Sequence, residues 1–224
     1  MQISEKEVLR YLGYRTRAAD ERTLQMIQEV AKAAEAEIQP QSVYMELPLR
    51  LLSESEVQIG DTVFQSRKLS RHLRGCERIL VFAATLGTGA DRLLRRFSAT
   101  NSAHAAVAQA VLAAATEDYC DAVCEKIAEK EEQNGWYLRP RFSPGYGDLP
   151  LTAQRDLFNL CEITKRIGIT LTDSCLMLPT KSVSAFIGLT RQKDGCRAGG
   201  CALCDKTDCA YRENDGKVEE NGLS

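Results

Sequence analysis

Between Arg141 and Pro150 the chain reads Arg-Phe-Ser-Pro-Gly-Tyr-Gly-Asp-Leu-Pro, which sets a guanidinium (Arg141), a phenol (Tyr146) and a carboxylate (Asp148) close together. Two prolines and two glycines in ten residues exclude a helix and a central strand. Pro144 fixes its own backbone and drives Ser143 into an extended conformation, while Gly145 and Gly147 can take φ > 0 and let a ligand approach the main chain. A stiff bend carrying three different polar groups can hold a small zwitterion. The same composition also fits a tight connection between two helices with exposed polar residues.

Upstream, Glu117, Asp121 and Glu125 recur every four residues, so a helix places three carboxylates on one face. Such a face is ordinarily solvated. Three like charges without an interleaved lysine repel one another, however, and a neighbouring cation relieves that. Downstream, Cys196, Cys201, Cys204 and Cys209 fall within fourteen residues, with one Cys-x-x-Cys pair flanked by a cysteine on each side. That set suits zinc or an iron–sulfur cluster, or a group of reduced or redox-active thiols. Cys76, Cys120, Cys124, Cys161 and Cys175 lie in apolar patterns, where cysteine acts as a small hydrophobe. His72 and His104 are the only histidines, each beside apolar residues of an expected helix, and both read as structural. With no nucleophile–base pair in view, hydrolysis by this chain alone is disfavoured, and any chemistry rests on positioning a reactive cofactor.

The elements that must position these groups follow from periodicity. Ser4-Glu5-Lys6-Glu7 is a capping box opening a helix that Gly13 stops. A second helix runs from about Asp20 to Ile38, with Leu24, Ile27, Ala31, Ala34 and Ile38 on its apolar face. Val43 to Leu47 is a short strand that Pro48 closes or marks as an edge, and Glu54 to Gln65 is a hairpin turning at Gly60-Asp61. Ser66 caps a short helix, and Arg78 to Ala84 is a buried central strand. Gly87-x-Gly89 then leads into a helix. It lacks both the dinucleotide fingerprint and the Walker lysine, so it reads as a plain strand-to-helix turn. A long helix covers about Ser102 to Lys130, alanine-rich in its first half and acidic in its second. Thr152 is placed to cap a helix through Ile163 that Gly168 stops. Ile169 to Leu171 is a short strand, and Met177 to Gly188 is a loop entering a strand with Val183, Ala185 and Ile187 on one face and Ser184 and Phe186 on the other. Mixed helices and hairpin-compatible strands give an α+β class: a twisted, mostly antiparallel sheet flanked by helices, with a long central helix. Residues 1–190 form one domain, 191–212 a cysteine-rich segment and 213–224 a flexible acidic tail.

A net charge of −2 and the absence of basic runs interleaved with aromatics argue against a nucleic-acid partner. The N-terminus has no signal pattern, and the most apolar long stretch, Ala103 to Ala115, is too short to span a bilayer. A cytoplasmic location with no membrane association is expected.

Arg141-x-x-Pro144-Gly145-Tyr146 resembles the signature of the reactivation domain of cobalamin-dependent methionine synthase, and Pro179-x-x-Ser182-Val183-Ser184 resembles that domain's later segment. The preceding helix with Asp121 and Glu125 is similar in kind to the family's acidic helix. The likeness covers roughly residues 100 to 190, and the N-terminal half is nearest in style to stand-alone activation subunits. The resemblance implies that the chain binds S-adenosylmethionine. It further implies that the chain supports reductive methylation of cob(II)alamin held by a separate methionine synthase chain, with a flavodoxin-type protein as electron donor. It implies that Arg141, Gly145 and Tyr146 line the S-adenosylmethionine pocket and that Asp121 meets the ligand ammonium, with Glu117 and Asp148 as further candidates. Chemically this is consistent, since a guanidinium grips a carboxylate through two parallel bonds and aromatic faces or carboxylates stabilise cations.

The chain departs from the fused domain in two ways. It has no Asp-x-His-x-x-Gly element to ligate cobalt, so the cobalamin must come from a partner, and its cysteine cluster has no counterpart there. Two other readings are a metal or iron–sulfur redox module worked by that cluster, and a non-catalytic docking partner of a corrinoid protein.

Overall fold

Two apolar runs build the centre of the molecule. In the computed structural model, which describes residues 3–14 and 18–193, β4 (Arg78–Thr85) and β8 (Ser182–Thr190) pair antiparallel from Arg78↔Leu189 to Thr85↔Ser182. Nearly every residue of both is buried, as continuous apolar strands covered on both faces must be. Around them the sheet runs β3-β2-β1-β4-β8-β5, with every pairing antiparallel. Its members are β1 (Gln41–Leu51), the hairpin β2 (Glu56–Ile59) and β3 (Thr62–Gln65), and β5 (Tyr137–Leu138). The α+β class and the antiparallel sheet expected from the sequence are what the chain forms.

Side-chain alternation then divides the core into layers. Leu80, Phe82 and Ala84 of β4, with Ala185, Ile187 and Leu189 of β8, face α5 (Ser102–Glu132), meeting Cys120 and Ile127 there and Trp136 just beyond it. Ile79, Val81, Ala83 and Phe186 face the other way, toward Phe64, Leu69, Leu157 and Phe158. That second layer holds α3 (Arg67–His72), α6 (Gln154–Leu160) and α7 (Ile163–Ile167). The first half of α5 leaves the sheet and packs among α1 (Glu5–Tyr11), α2 (Glu21–Glu37) and α4 (Thr88–Thr100), burying Val8, Ile27, Val30, Leu93, Phe97, Val111 and Ala115. A helix that changes partners halfway needs two differently composed halves, which is the alanine-to-acidic switch seen in its sequence.

Several local expectations change. The capping box at Ser4 is half made: Glu7 N donates to Ser4 Oγ at 3.4 Å, but Ser4 N donates to Asp118 Oδ2 and the Glu7 carboxylate takes Arg10. β1 does not stop at Leu47. It runs through Pro48, pairing with β4 up to that residue and with β2 from Leu49 onward, so the residue lacking an N–H stands where the β4 ladder ends. Thr152 is not a cap. It lies in a 3-10 turn (Leu151–Ala153), and the single helix expected there breaks into α6 and α7 at Glu162, which has φ 49°. Met177–Leu178 is a strand, β7, paired with β6 (Thr170–Leu171) as a separate ribbon.

The Gly87-x-Gly89 turn shows why glycine is needed. A Cβ on Gly89 would fall 2.0 Å from the carbonyl oxygen of Glu37, so α4 starts against the end of α2 with no room for a side chain. The glycine there serves close helix packing.

Candidate functional site: an arginine between two carboxylates

Residues 137–142 pass along the free edge of β8 as an interrupted strand. Tyr137 and Leu138 pair with Thr190 and Leu189, Arg139 N donates to Gly188 O at 2.8 Å, and Phe142 exchanges both backbone bonds with Phe186. Neighbours along such a strand point to opposite faces. Phe142 enters the layer shared with Phe158 and Leu149, and Arg141 therefore faces α5.

On α5 it meets the acidic face. Arg141 Nη1 donates to Asp121 Oδ1 at 2.7 Å and Nη2 donates to Glu117 Oε2 at 2.7 Å, while Nη1 also lies 3.6 Å from Cys124 Sγ. The arginine side chain is only 19% exposed, against 44% for Glu117 and 63% for Asp121, so a shielded cation sits under two more open carboxylates. Burial opposes its charge. Cys120, Asp121, Glu117 and Cys124 nonetheless hold its pKa above the ordinary arginine value. At neutral pH the two carboxylates carry that effect, because burial pushes the Cys120 thiol up to about 12 and raises the Cys124 thiol as well. Arg141 is thus a cation beside two of the three evenly spaced carboxylates, Glu117 and Asp121. The cluster keeps one net negative charge, two carboxylates against one guanidinium.

The remaining signature residues form the turn that follows. Gly145 has φ 87° and its N–H donates to Leu149 O at 2.9 Å, closing a loop over Tyr146 and Asp148. Tyr146 is 39% exposed and sets its ring edge-on to Phe142, with centroids 5.3 Å apart. A side chain on Gly147, φ 65°, would meet Lys68 Cδ at 2.6 Å. Asp148 caps α3: its carboxylate accepts from Ser66 Oγ at 2.5 Å, Arg67 N at 2.8 Å and Lys68 N at 3.1 Å. Its carboxylate is thus tied to the start of α3, by partners 80 to 82 residues away in sequence that sequence reasoning did not foresee. His72 Nε2–H donates to Pro140 O at 2.8 Å at the entrance to the signature.

The second motif is also tied down from within. Ser182 Oγ lies 2.7 Å from Pro179 O and 2.8 Å from Thr85 Oγ1, and Ser184 Oγ donates to Gln154 Oε1, whose Nε2 donates to Cys175 O. These bonds fasten β8 to the end of β4 and to α6. Sequence reasoning did not foresee Cys124 as a neighbour of Arg141, nor that α1 would border the acidic helix through Ser4 N and Asp118 Oδ2, 3.0 Å apart. Cys196, Cys201, Cys204 and Cys209 lie outside the described residues. Among the described residues no group of His, Cys, Asp and Glu could hold a metal ion, and no helix is long and apolar enough to cross a membrane.

The chain is thus an α+β domain whose long helix offers carboxylates to an Arg-x-x-Pro-Gly-Tyr bend. The family model described as "Vitamin B12 dependent methionine synthase, activation domain" matches residues 71–194, more than half of the chain, and the protein belongs to that family. The fold is similar to that in the crystal structure of the MetH reactivation domain bound to AdoHcy, with a TM-score of 0.56 and 19% identity, over 82% of this chain and 75% of that one. No curated protein matches the sequence.

Proposed function

We propose that this chain binds S-adenosylmethionine at the Arg141 cluster and supports reductive methylation of cob(II)alamin carried by a separate methionine synthase chain. The observation that carries this reading is the Arg141–Glu117–Asp121 cluster beside the signature turn, in a member of the activation-domain family. S-adenosylmethionine has one carboxylate, one ammonium and one sulfonium, hence one net positive charge, which complements the cluster's net negative one. Arg141 takes the ligand carboxylate through N–H groups left over from its two ion pairs. Asp121, the more open of the two acids, accepts the ammonium, and Tyr146 offers a half-exposed ring to the sulfonium end. Gly145 keeps the turn in the conformation that presents Tyr146.

Bound this way, S-adenosylmethionine supplies a methyl group and an external one-electron donor supplies the electron. The chain itself contributes orientation and exclusion of water. A flavodoxin-type protein fits the donor role, and the cysteine-rich segment is proposed as a metal or cluster site of separate function. A second reading has its own support: Arg141 is already held by two carboxylates, as expected of a docking partner that presents no methyl-donor site.

The deciding experiment is a reactivation assay with purified synthase in its cob(II)alamin form, a reductant and S-adenosylmethionine, with and without this chain. Restored activity that depends on the chain supports the proposal. Calorimetry with S-adenosylmethionine separates the two readings, since binding heat abolished by Arg141→Ala favours the first and absence of heat the second.

A further inference from the structure

A cleft of about 540 Å³ opens where the start of α4, the first half of α5 and the loop before β8 converge, within the size range of small-molecule sites. It is distinct from the Arg141 cluster: Gln109, on its wall, precedes Glu117 by eight residues, about 12 Å along α5. Leu94 and Leu178 give it an apolar side, and Leu178 is 46% exposed there. Arg95 and Lys181 supply cations. Arg95 Nε donates only to the backbone oxygen of Asp91, and its guanidinium has no carboxylate partner among the described residues. Lys181 donates to a single backbone carbonyl, Gln109 O, at 3.2 Å, although its side chain is half-buried. The acid in the cleft is already engaged, since Asp91 accepts from Thr180 N at 3.2 Å and from the Thr180 hydroxyl. Two cations against one bonded carboxylate leave a net positive charge beside apolar surface.

The geometry points to a second binding site, for a small organic anion whose carboxylate or phosphate head meets Arg95 and Lys181 and whose apolar body lies on Leu94 and Leu178. Burial takes Lys181 partly out of water, which lowers its pKa, with Asp91 opposing; an anion in the cleft restores what hydration is lost. Arg95 offers the planar fork suited to either head group. The site rests on residues that the Arg141 cluster does not use, so it stands or falls independently of the function proposed above.

The test is calorimetry on the full chain at physiological salt with three probes of one shape: phenyl phosphate, phenylacetate and benzyl alcohol. Saturable one-to-one binding of either anion is expected, and the preferred one identifies the head group. Benzyl alcohol is expected to give no saturable heat. Lys181→Met and Arg95→Gln should each weaken the anion about tenfold or more, with melting temperature and circular dichroism unchanged. Arg95→Gln keeps the test decisive if loss of the Lys181–Gln109 bond disturbs folding. The proposal is overturned if neither anion saturates, if benzyl alcohol binds as well as the anions, or if a folded Arg95→Gln protein binds them at full affinity.

Discussion

Arg141 and Glu117, 24 residues apart in sequence, meet at 2.7 Å, and with Asp121 on the next turn they lock the signature bend to the long helix. The arginine therefore has a task in the unliganded fold as well as a proposed one toward ligand.

Replacing Arg141 tests both. Arg141→Ala should weaken S-adenosylmethionine binding by about 1.5–3 kcal/mol, roughly ten- to hundredfold, measured by calorimetry. It should also lower the melting temperature, because Glu117 and Asp121 are left facing each other uncompensated. Arg141→Lys keeps the charge but not the fork, so it should restore stability more than affinity. Unchanged affinity in folded Arg141→Ala would remove the arginine from the ligand site.

Asp148 should matter for stability alone. Burial opposes its ionisation, but hydrogen bonds from Ser66, Lys68 and Arg67 outweigh it and hold the carboxyl below its ordinary value. A depressed folded pKa gives stability that is fully present above the unfolded value, about 3.9, and is lost as pH falls through the folded one. Asp148→Ala should cost about 0.5–2 kcal/mol in denaturant unfolding at neutral pH, the range for a lost helix cap. The cost should shrink toward pH 3. A loss that persists undiminished at low pH would contradict the charged cap.

His72 should titrate in the same direction of stability for the opposite chemical reason. Burial lowers its pKa below 6.5, with the Pro140 carbonyl partly opposing and Arg139 adding to the shift. Below the unfolded pKa the unfolded chain takes up a proton that the folded imidazole resists. Stability from this group should thus fall as pH drops from about 6.5 to the folded pKa and level off beneath it. Imidazole resonances followed by NMR against pH should give a midpoint below 6.5; a midpoint above it would overturn the assignment.

Gly89→Ala should be strongly destabilising, since the added methyl would sit 2.0 Å from Glu37 O, backbone that can yield only by moving α4 off α2. A loss of about 1–3 kcal/mol is expected. Gly13→Ala serves as the comparison, because an added Cβ there meets nothing within 4 Å although its φ of 84° still strains alanine.

Cys120 should resist alkylation in the native protein. It is fully buried, and burial pushes its thiol up to about 12, so almost no thiolate exists at pH 8. Peptide mapping after iodoacetamide should find Cys120 modified only once the chain is denatured. Native labelling at the rate of a free thiol would show that α5 opens.

Much of the fold was legible because it is local. Asp20, Ser66 and Gly168 mark helix ends by side-chain or backbone chemistry that acts over a few residues, and β4 and β8 announce themselves by unbroken apolar runs. The break at Glu162 was not legible, since it places a non-glycine residue at positive φ within an otherwise helical pattern. The strand through Pro48 was hidden too, because proline is tolerated there only where the ladder to β4 ends, and that is set by where Arg78 lies.

By itself the sequence determined the residue types of the site, their helical spacing, the glycine-dependent turn and the signature that joins the chain to its family. Only the tertiary structure decided which charges meet. Arg141 faces Glu117 and Asp121 because Phe142 is drawn into the opposite layer by its pairing with Phe186, and Asp148 turns away to cap α3. Pairing across a sheet fixes which way a side chain points, and no spacing along the chain carries that information.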